Sequence, residues 1–213
     1  VPVVAALHLA QDPEADRLLS ENPLALLIGM VLDQQVPLER AFAAPARLVE
    51  RLGIPLEAPR LAAMDPADLA AAFAAKPALH RFPGSMAARV HELCRVVTED
   101  YGGDAAAVWA GARDGKDLLA RVRALPGFGD QKARIFVALL GKQLGVRAAG
   151  WEKVSHPYGE PGSHRSVADI VDADSLALVR AYKQRMKAGG QGAQGPRASM
   201  AGAARRGGNR SPV

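Results

Sequence analysis

Cysteine is nearly absent from this chain, Cys94 being the only one in 213 residues. A lone thiol excludes an intrachain disulfide and a four-cysteine iron–sulfur cluster. Aromatic residues are scarce as well, at 5% of the sequence, so the core must be built from alanine and leucine. No run approaches the roughly 18–20 apolar residues of a membrane span. The longest candidate, 24–32, is interrupted at Gly29. Residues 1–7 lack a basic leader and a cleavage pattern, so a cytoplasmic location, at the nucleoid, is expected. No stretch alternates as a half-buried strand does, and length and composition fit a soluble, all-α protein of one compact domain or two small lobes.

Acids are missing in two places. Residues 188–213 carry Arg197, Arg205, Arg206 and Arg210 without one Asp or Glu, which leaves 23 cations against 22 acids for residues 1–187. Glycine, alanine, serine and arginine without an apolar period cannot bury enough surface to offset the entropy of ordering, so this basic tail is expected to be disordered. It reads either as a loose phosphate attractor or as an inert extension. The second place is 121–147, where Arg121, Arg123, Lys132, Arg134, Lys142 and Arg147 face the single acid Asp130, a local net charge of +5. Such a stretch makes a poor core and a good phosphate site, although charged faces are more often plain solvated surface.

Within it lies Leu125-Pro126-Gly127-Phe128-Gly129-Asp130-Gln131-Lys132-Ala133, between an amphipathic segment, 118–124, and an apolar helical one, 135–144. This reads as a helix-hairpin-helix. Two glycines flanking one apolar residue allow positive φ, so that the turn is tight and Phe128 plugs the gap between the helices. The amides that open the following helix then face outward at the positive end of its dipole, which suits a phosphate and is blind to base sequence. An ordinary helical hairpin with a glycine turn accounts for the two glycines alone equally well.

Elsewhere the signals are also helical. Asn22-Pro23 sets a capping side chain before a proline at the first helical position, and the next nine residues are nearly all apolar, which predicts a helix buried on every side. It ends at Asp33-Gln34-Gln35. An acid there opposes the helix dipole, so the cluster either just marks the helix end or is placed for use. Val36-Pro37 begins the next helix, with Leu38, Phe42, Leu48, Val49 and Leu52 as apolar positions. Asp65-Pro66 opens a short one through Phe73, Ser85 is read as the cap of a long one reaching Asp100, and 176–186 gives the last. The stretch 151–166 holds Trp151, His156, Pro157, Tyr158, Gly159 and His164. Two histidines eight apart with no cysteine make a poor metal site, and the stretch is read as a loop that shapes or lids a pocket.

Leu-Pro-Gly-Phe-Gly followed by Lys132-Ala133 resembles the hairpin of the HhH-GPD superfamily of base-excision DNA glycosylases. Residues 24–35, Leu-Ala-Leu-Leu-Ile-Gly-Met-Val-Leu-Asp-Gln-Gln, are similar to the family's early buried helix ending in a glutamine. The next two helices match 69–101, with Ala87-Ala88-Arg89 and the Tyr101-Gly102-Gly103 stop, so the likeness covers about residues 20–147 in order. It implies an all-α helix-hairpin-helix glycosylase fold of two helical lobes with a cleft between them. The central lobe would span about 23–135, the second would join the N-terminal segment to about 136–187, and the tail would follow. It further implies double-stranded DNA as partner; a monomer is expected, without the iron–sulfur cluster that some relatives carry, which the lone cysteine excludes, and with no other metal except at most a monovalent cation held by hairpin backbone carbonyls. Gly127, Phe128, Gly129, Gln131, Lys132 and Arg134 would bind DNA. Gln35, with Gln34 beside it, would be the wedge that fills the hole left by a flipped base, because chemistry on a base requires taking it out of the stack. Trp151 would stack on that base unless it is a core residue.

The catalytic positions depart from the family pattern. Bifunctional members place a lysine two residues after the second hairpin glycine, and that slot is Gln131 here, with Lys132 next to it. Glutamine forms no Schiff base, and a one-residue shift turns a helical side chain by about 100°, so Lys132 is expected to point elsewhere and contact phosphate. The family's aspartate would fall at Ala149, Gly150 or Trp151, none of them an acid. Glu152 is adjacent, either as its replacement or as a surface residue beside Lys153. The expectation is therefore a monofunctional, metal-free DNA glycosylase in which Glu152 or Asp33 stabilises positive charge on the sugar or directs a water. A site so short of catalytic groups suits a labile bond, and alkylated purines are expected ahead of uracil, thymine mismatches or oxidised guanine. The alternatives are a non-catalytic protein that binds damaged DNA through a degenerate glycosylase fold, and a helical interaction module whose basic hairpin is accidental.

Overall fold

A computed structural model describes residues 6–191, and among these there is no strand. Eleven α-helices, α1 to α11, and one 3-10 turn make up their regular structure. The first two open with the same grammar. Asp12 accepts from the amides of Glu14 and Ala15 ahead of α1 (Pro13–Glu21), and Asn22 accepts from Leu24 and Ala25 ahead of α2 (Pro23–Leu32), with proline in each first turn. The sequence reading found α2 but placed no helix at Asp12-Pro13. Asn22 also closes α1 by donating its N–H to Leu18 O, and its side-chain Nδ2 donates to Leu56 O at 3.0 Å.

Every residue from Leu24 to Leu32 is buried, as the unbroken apolar run predicted. α3 (Leu38–Leu52) packs across α2 and meets α1 as well. Gly29 sets the closeness of that crossing: a Cβ there would stand 2.7 Å from the ring of the fully buried Phe42. Interiors this dense leave no room for an added methyl.

α4 (Ala58–Ala62) and α5 (Pro66–Ala74) pack on the long α6 (Pro83–Tyr101). α6 begins at Pro83 and not at a Ser85 cap, because proline already fills the first helical position and Phe82 is the N-cap. The connection from α5 to α6 is fastened to α3, where Arg51 donates to the carbonyls of Ala72 and Pro77 at 2.6 Å each.

After α7 (Ala107–Ala110), α8 (Gly115–Arg123) and α9 (Asp130–Gln143) form the hairpin. α10 (Trp151–Ser155) lies against both, where a loop was expected, and the Trp151 ring covers Gly141 so closely that a Cβ there would collide with it. The 3-10 turn (Val167–Asp169) is anchored to α9 by an ion pair of 2.5 Å between Lys142 Nζ and the buried Asp169. α11 (Ala173–Gln191) rises from that turn with only its base embedded, at Ser175, Leu176 and Val179. It is longer than the 176–186 expected, and 188–191, assigned to a disordered tail, continue it; the rest of the tail lies outside the described residues.

Candidate active site

The two hairpin glycines do different things. Gly127 has φ +88°, and a Cβ on it would stand 2.9 Å from Arg89 Cδ and 3.1 Å from Val31 Cγ2, so the turn lies directly against the end of α2 and the side of α6. Gly129, by contrast, is extended, with φ −77° and ψ 175°, and a Cβ there would meet open space. The expectation of two positive-φ glycines therefore holds for the first alone. Phe128 is buried and meets Phe136 edge-on with centroids 5.7 Å apart, plugging the hairpin as predicted. Gly129 offers no capping side chain, so the first amides of α9 stay available to an acceptor from outside.

The local charge of +5 is largely engaged. Arg134 pairs with Asp130 at 2.7 Å and donates to Val154 O at 2.9 Å, so this expected DNA contact is also a strut between α9 and α10. Arg123 reaches Asp130 at 3.4 Å, and Arg121 reaches Asp117 at 3.3 Å. Lys142 is sunk against Asp169, and Arg147 donates to Gly141 O at 3.2 Å. Sequence counting overstated the free charge because it could not see these partners.

A cavity of about 870 Å³ opens between the end of α2, the start of α3, the first turns of α9 and one face of α11. Asp33, Gln34, Gln35, Gln131 and Lys132 all line it, which brings together five of the residues singled out by sequence. Trp151 and Glu152 do not. Trp151 packs on Gly141, well down α9 from the hairpin, and Glu152 is exposed on α10. Of the two readings of Trp151, the packing fits the core residue.

Lys132 departs most from expectation. Its Nζ donates to the carbonyl of Val31 at 3.2 Å, inside the cavity rather than out toward solvent. α9 starts at Asp130, and its third residue faces the end of α2, whereas Gln131, at the edge of the cavity, donates to Tyr158 Oη at 2.9 Å. The shift of one position thus carries the amine in, not away. Val31 O has no backbone partner at the end of α2, where a cation is favoured, and it accepts from Gln34 Nε2 as well as from Lys132. Burial strips water from the ammonium and pulls its pKa down from 10.5 to about 8; the Asp33 carboxylate opposes the fall and the Arg89 guanidinium adds to it.

The turn after α2 is built to project one side chain. Gln34 is tied inward, its Nε2 donating to Val31 O at 3.1 Å and touching Met86 Sδ at 3.3 Å. Gln35 is exposed and held at φ +56°, a left-handed conformation that costs a non-glycine residue energy and is retained where the surroundings impose it. His80 helps impose it. This buried imidazole accepts the Phe82 N–H on Nδ1 at 3.0 Å, so its Nε2 carries the proton that it donates to Gln34 O at 2.9 Å. Sequence reasoning missed His80, and no local signal could have found it, since its partner is 46 residues away. On the same loop Phe82 is 44% exposed, with the Arg81 guanidinium 5.4 Å from its ring centroid.

Other chemistry is thinly supplied. Among the described residues no three His, Cys, Asp or Glu side chains come together as a metal site would require. Cys94 is buried, and loss of solvent pushes its thiol up to about 12, far from a reactive thiolate. In the hairpin turn the carbonyl of Val122 accepts from Leu125 N–H, and that of Leu125 from Phe128 N–H.

The uncapped start of α9 thus stands against the end of α2, with an amine and a projecting glutamine at the junction. The chain matches, over residues 28–189, the family model described as HhH-GPD superfamily base excision DNA repair protein, and it belongs to that family. The match runs from within α2 to the last turn of α11, and so continues past residue 147, where the resemblance ended. Comparison with curated proteins and with solved structures gives no match.

Proposed function

We propose that the protein is a DNA glycosylase that draws a damaged base into the cavity, acts as a monomer, and uses Lys132 as its amine. The observation that carries this reading is the placement of Nζ on Val31 O, beside Asp33, with its pKa lowered toward neutrality. The unprotonated amine would attack C1′ of the sugar, the C1′–N bond would break, and the base would leave with that electron pair and take up a proton. Opening of the sugar ring then gives an iminium between Nζ and C1′, from which the strand is cleaved by β-elimination. Asp33 would stabilise the positive charge that develops beside it, Gln35 would fill the vacated stack, and the first amides of α9 would hold a phosphate.

A monofunctional enzyme was expected on the premise that Lys132 turns away from the site. The place of Lys132 on the cavity lining supports an amine nucleophile instead, and with one the bond cut need not be as labile as that of an alkylated purine. Oxidised and deaminated bases therefore join methylated purines in the panel that tests the reading. Duplexes carrying each lesion are incubated with the protein, quenched with borohydride and resolved for covalent adduct. An adduct that vanishes in Lys132→Ala, which still binds, supports the proposal. Base release without adduct would instead favour the monofunctional enzyme, and tight binding without release the damage-recognition protein.

A further inference from the structure

α11 forms the wall of the cavity that faces the hairpin, and its composition changes along its length. At the root, Leu176 and Val179 line the cavity and are buried. Farther out, the same face presents Arg180, Lys183 and Lys187, at spacings of three and four residues that align them along one stripe. From residue 175 to 191 the helix holds four cations and no acid; the fourth, Arg185, is exposed and does not line the cavity. Among the described residues no carboxylate pairs with Lys183 or Lys187, and Arg180 has one partner, Glu39 in the first turn of α3. That ion pair spans the cavity from wall to wall.

A helix rooted by two turns and otherwise bare gains little from packing, and a row of cations with one carboxylate partner among them is repelled from itself. Its natural complement is a row of evenly spaced anions. We propose that the Arg180–Lys183–Lys187 face of α11 is a second backbone clamp, which grips phosphates on the side of the DNA away from the hairpin, and that an incoming phosphate displaces Glu39 from Arg180. This rests on the reading of the cavity as the site where DNA is processed. The hairpin and α11 would then hold the duplex from two sides while the lesion enters between them.

Binding of an abasic-site duplex by the full chain is measured from 50 to 200 mM salt for the wild type, for Arg180→Ala/Lys183→Ala/Lys187→Ala, for Arg185→Ala and for Glu39→Gln. Each phosphate contact contributes about 0.9 to the slope of log affinity against log salt, so the triple variant should flatten it by about 2.7. Across this range the wild type should lose roughly 40-fold more affinity than the triple variant. Arg185→Ala should leave the slope close to that of the wild type, and Glu39→Gln should tighten binding, because Arg180 is then free. The altered side chains are exposed or partly so, and thermal unfolding checks that each variant stays folded. A triple-variant slope equal to the wild type's overturns the clamp, as does an Arg185→Ala effect as large as one-third of the triple variant's. Borohydride trapping on the same samples separates the two ideas: wild type that binds and traps while the slope stays unchanged refutes the clamp alone, whereas wild type that neither binds nor traps refutes both.

Discussion

The lowered pKa of Lys132 fixes how its chemistry should vary with pH. With a pKa of about 8, roughly one amine in ten is unprotonated at pH 7, against roughly one in three thousand at the ordinary 10.5. The rate of adduct formation in single turnover should accordingly rise about tenfold per unit below pH 8 and level off above it. The same shift acts on stability with a definite sign. Between about 8 and 10.5 the unfolded chain holds the proton on Lys132 and the folded chain does not, so stability rises with pH through that window. Below it the folded state carries the full cost of a desolvated ammonium, on the order of 3 kcal/mol relative to Lys132→Met. Asp33→Asn removes the carboxylate that holds the pKa up, so the plateau should begin at lower pH. Adduct formation is followed by borohydride quenching from pH 6 to 10, and stability by urea denaturation over the same range. A trapping rate that climbs steadily through pH 9.5, or a midpoint that rises in Asp33→Asn, would refute the reasoning.

Three further outcomes follow from the packing. His80→Ala leaves the partly buried Gln34 carbonyl and Phe82 amide without their partner, at about 1 kcal/mol for each; base extrusion, read by 2-aminopurine fluorescence in a bound duplex, should fall more than affinity does, and His80→Gln should restore part of it. Gly127→Ala should destabilise the fold by roughly 1–3 kcal/mol, since positive φ and the contacts with Val31 and Arg89 both oppose a methyl, whereas Gly129→Ala should be close to neutral by thermal melting. Glu152→Gln should leave the single-turnover rate unchanged, because that side chain is outside the cavity, and a hundredfold loss would return it to the catalytic role first considered.

What could be read from the sequence was whatever is local. The α2 helix announced itself through Asn22-Pro23 and nine apolar residues, and the hairpin through Gly127, Phe128 and the paired amphipathic segments, because capping and burial periodicity are written in neighbouring residues. The same grammar at Asp12-Pro13 was present and passed over. Partners far apart in the chain were not legible. Lys142 looked like hairpin charge until Asp169 took it up, 27 residues on, and His80 gave no sign of its tie to Gln34. Lys132 was misjudged by a subtler route: the rotation of about 100° between neighbouring helical residues was sound, but which of the two faces the cavity depends on where α2 ends.

The bond from Lys132 to Val31 joins residues 101 positions apart, and α2 has no basic residue in its own last turn. The helix end borrows its cation. In a reaction run by Lys132, the amine would leave Val31 O to bond a sugar, and that carbonyl would keep only the Gln34 Nε2 bond, so the last turn of α2 would be held less firmly while substrate is attached. The Asp33–Gln35 turn hangs from that last turn and would feel the change directly. Under the proposed mechanism, product release would return Nζ to Val31 and restore the end of α2 on which the turn bearing Gln35 hangs, so that chemistry and the grip on DNA would run on one clock.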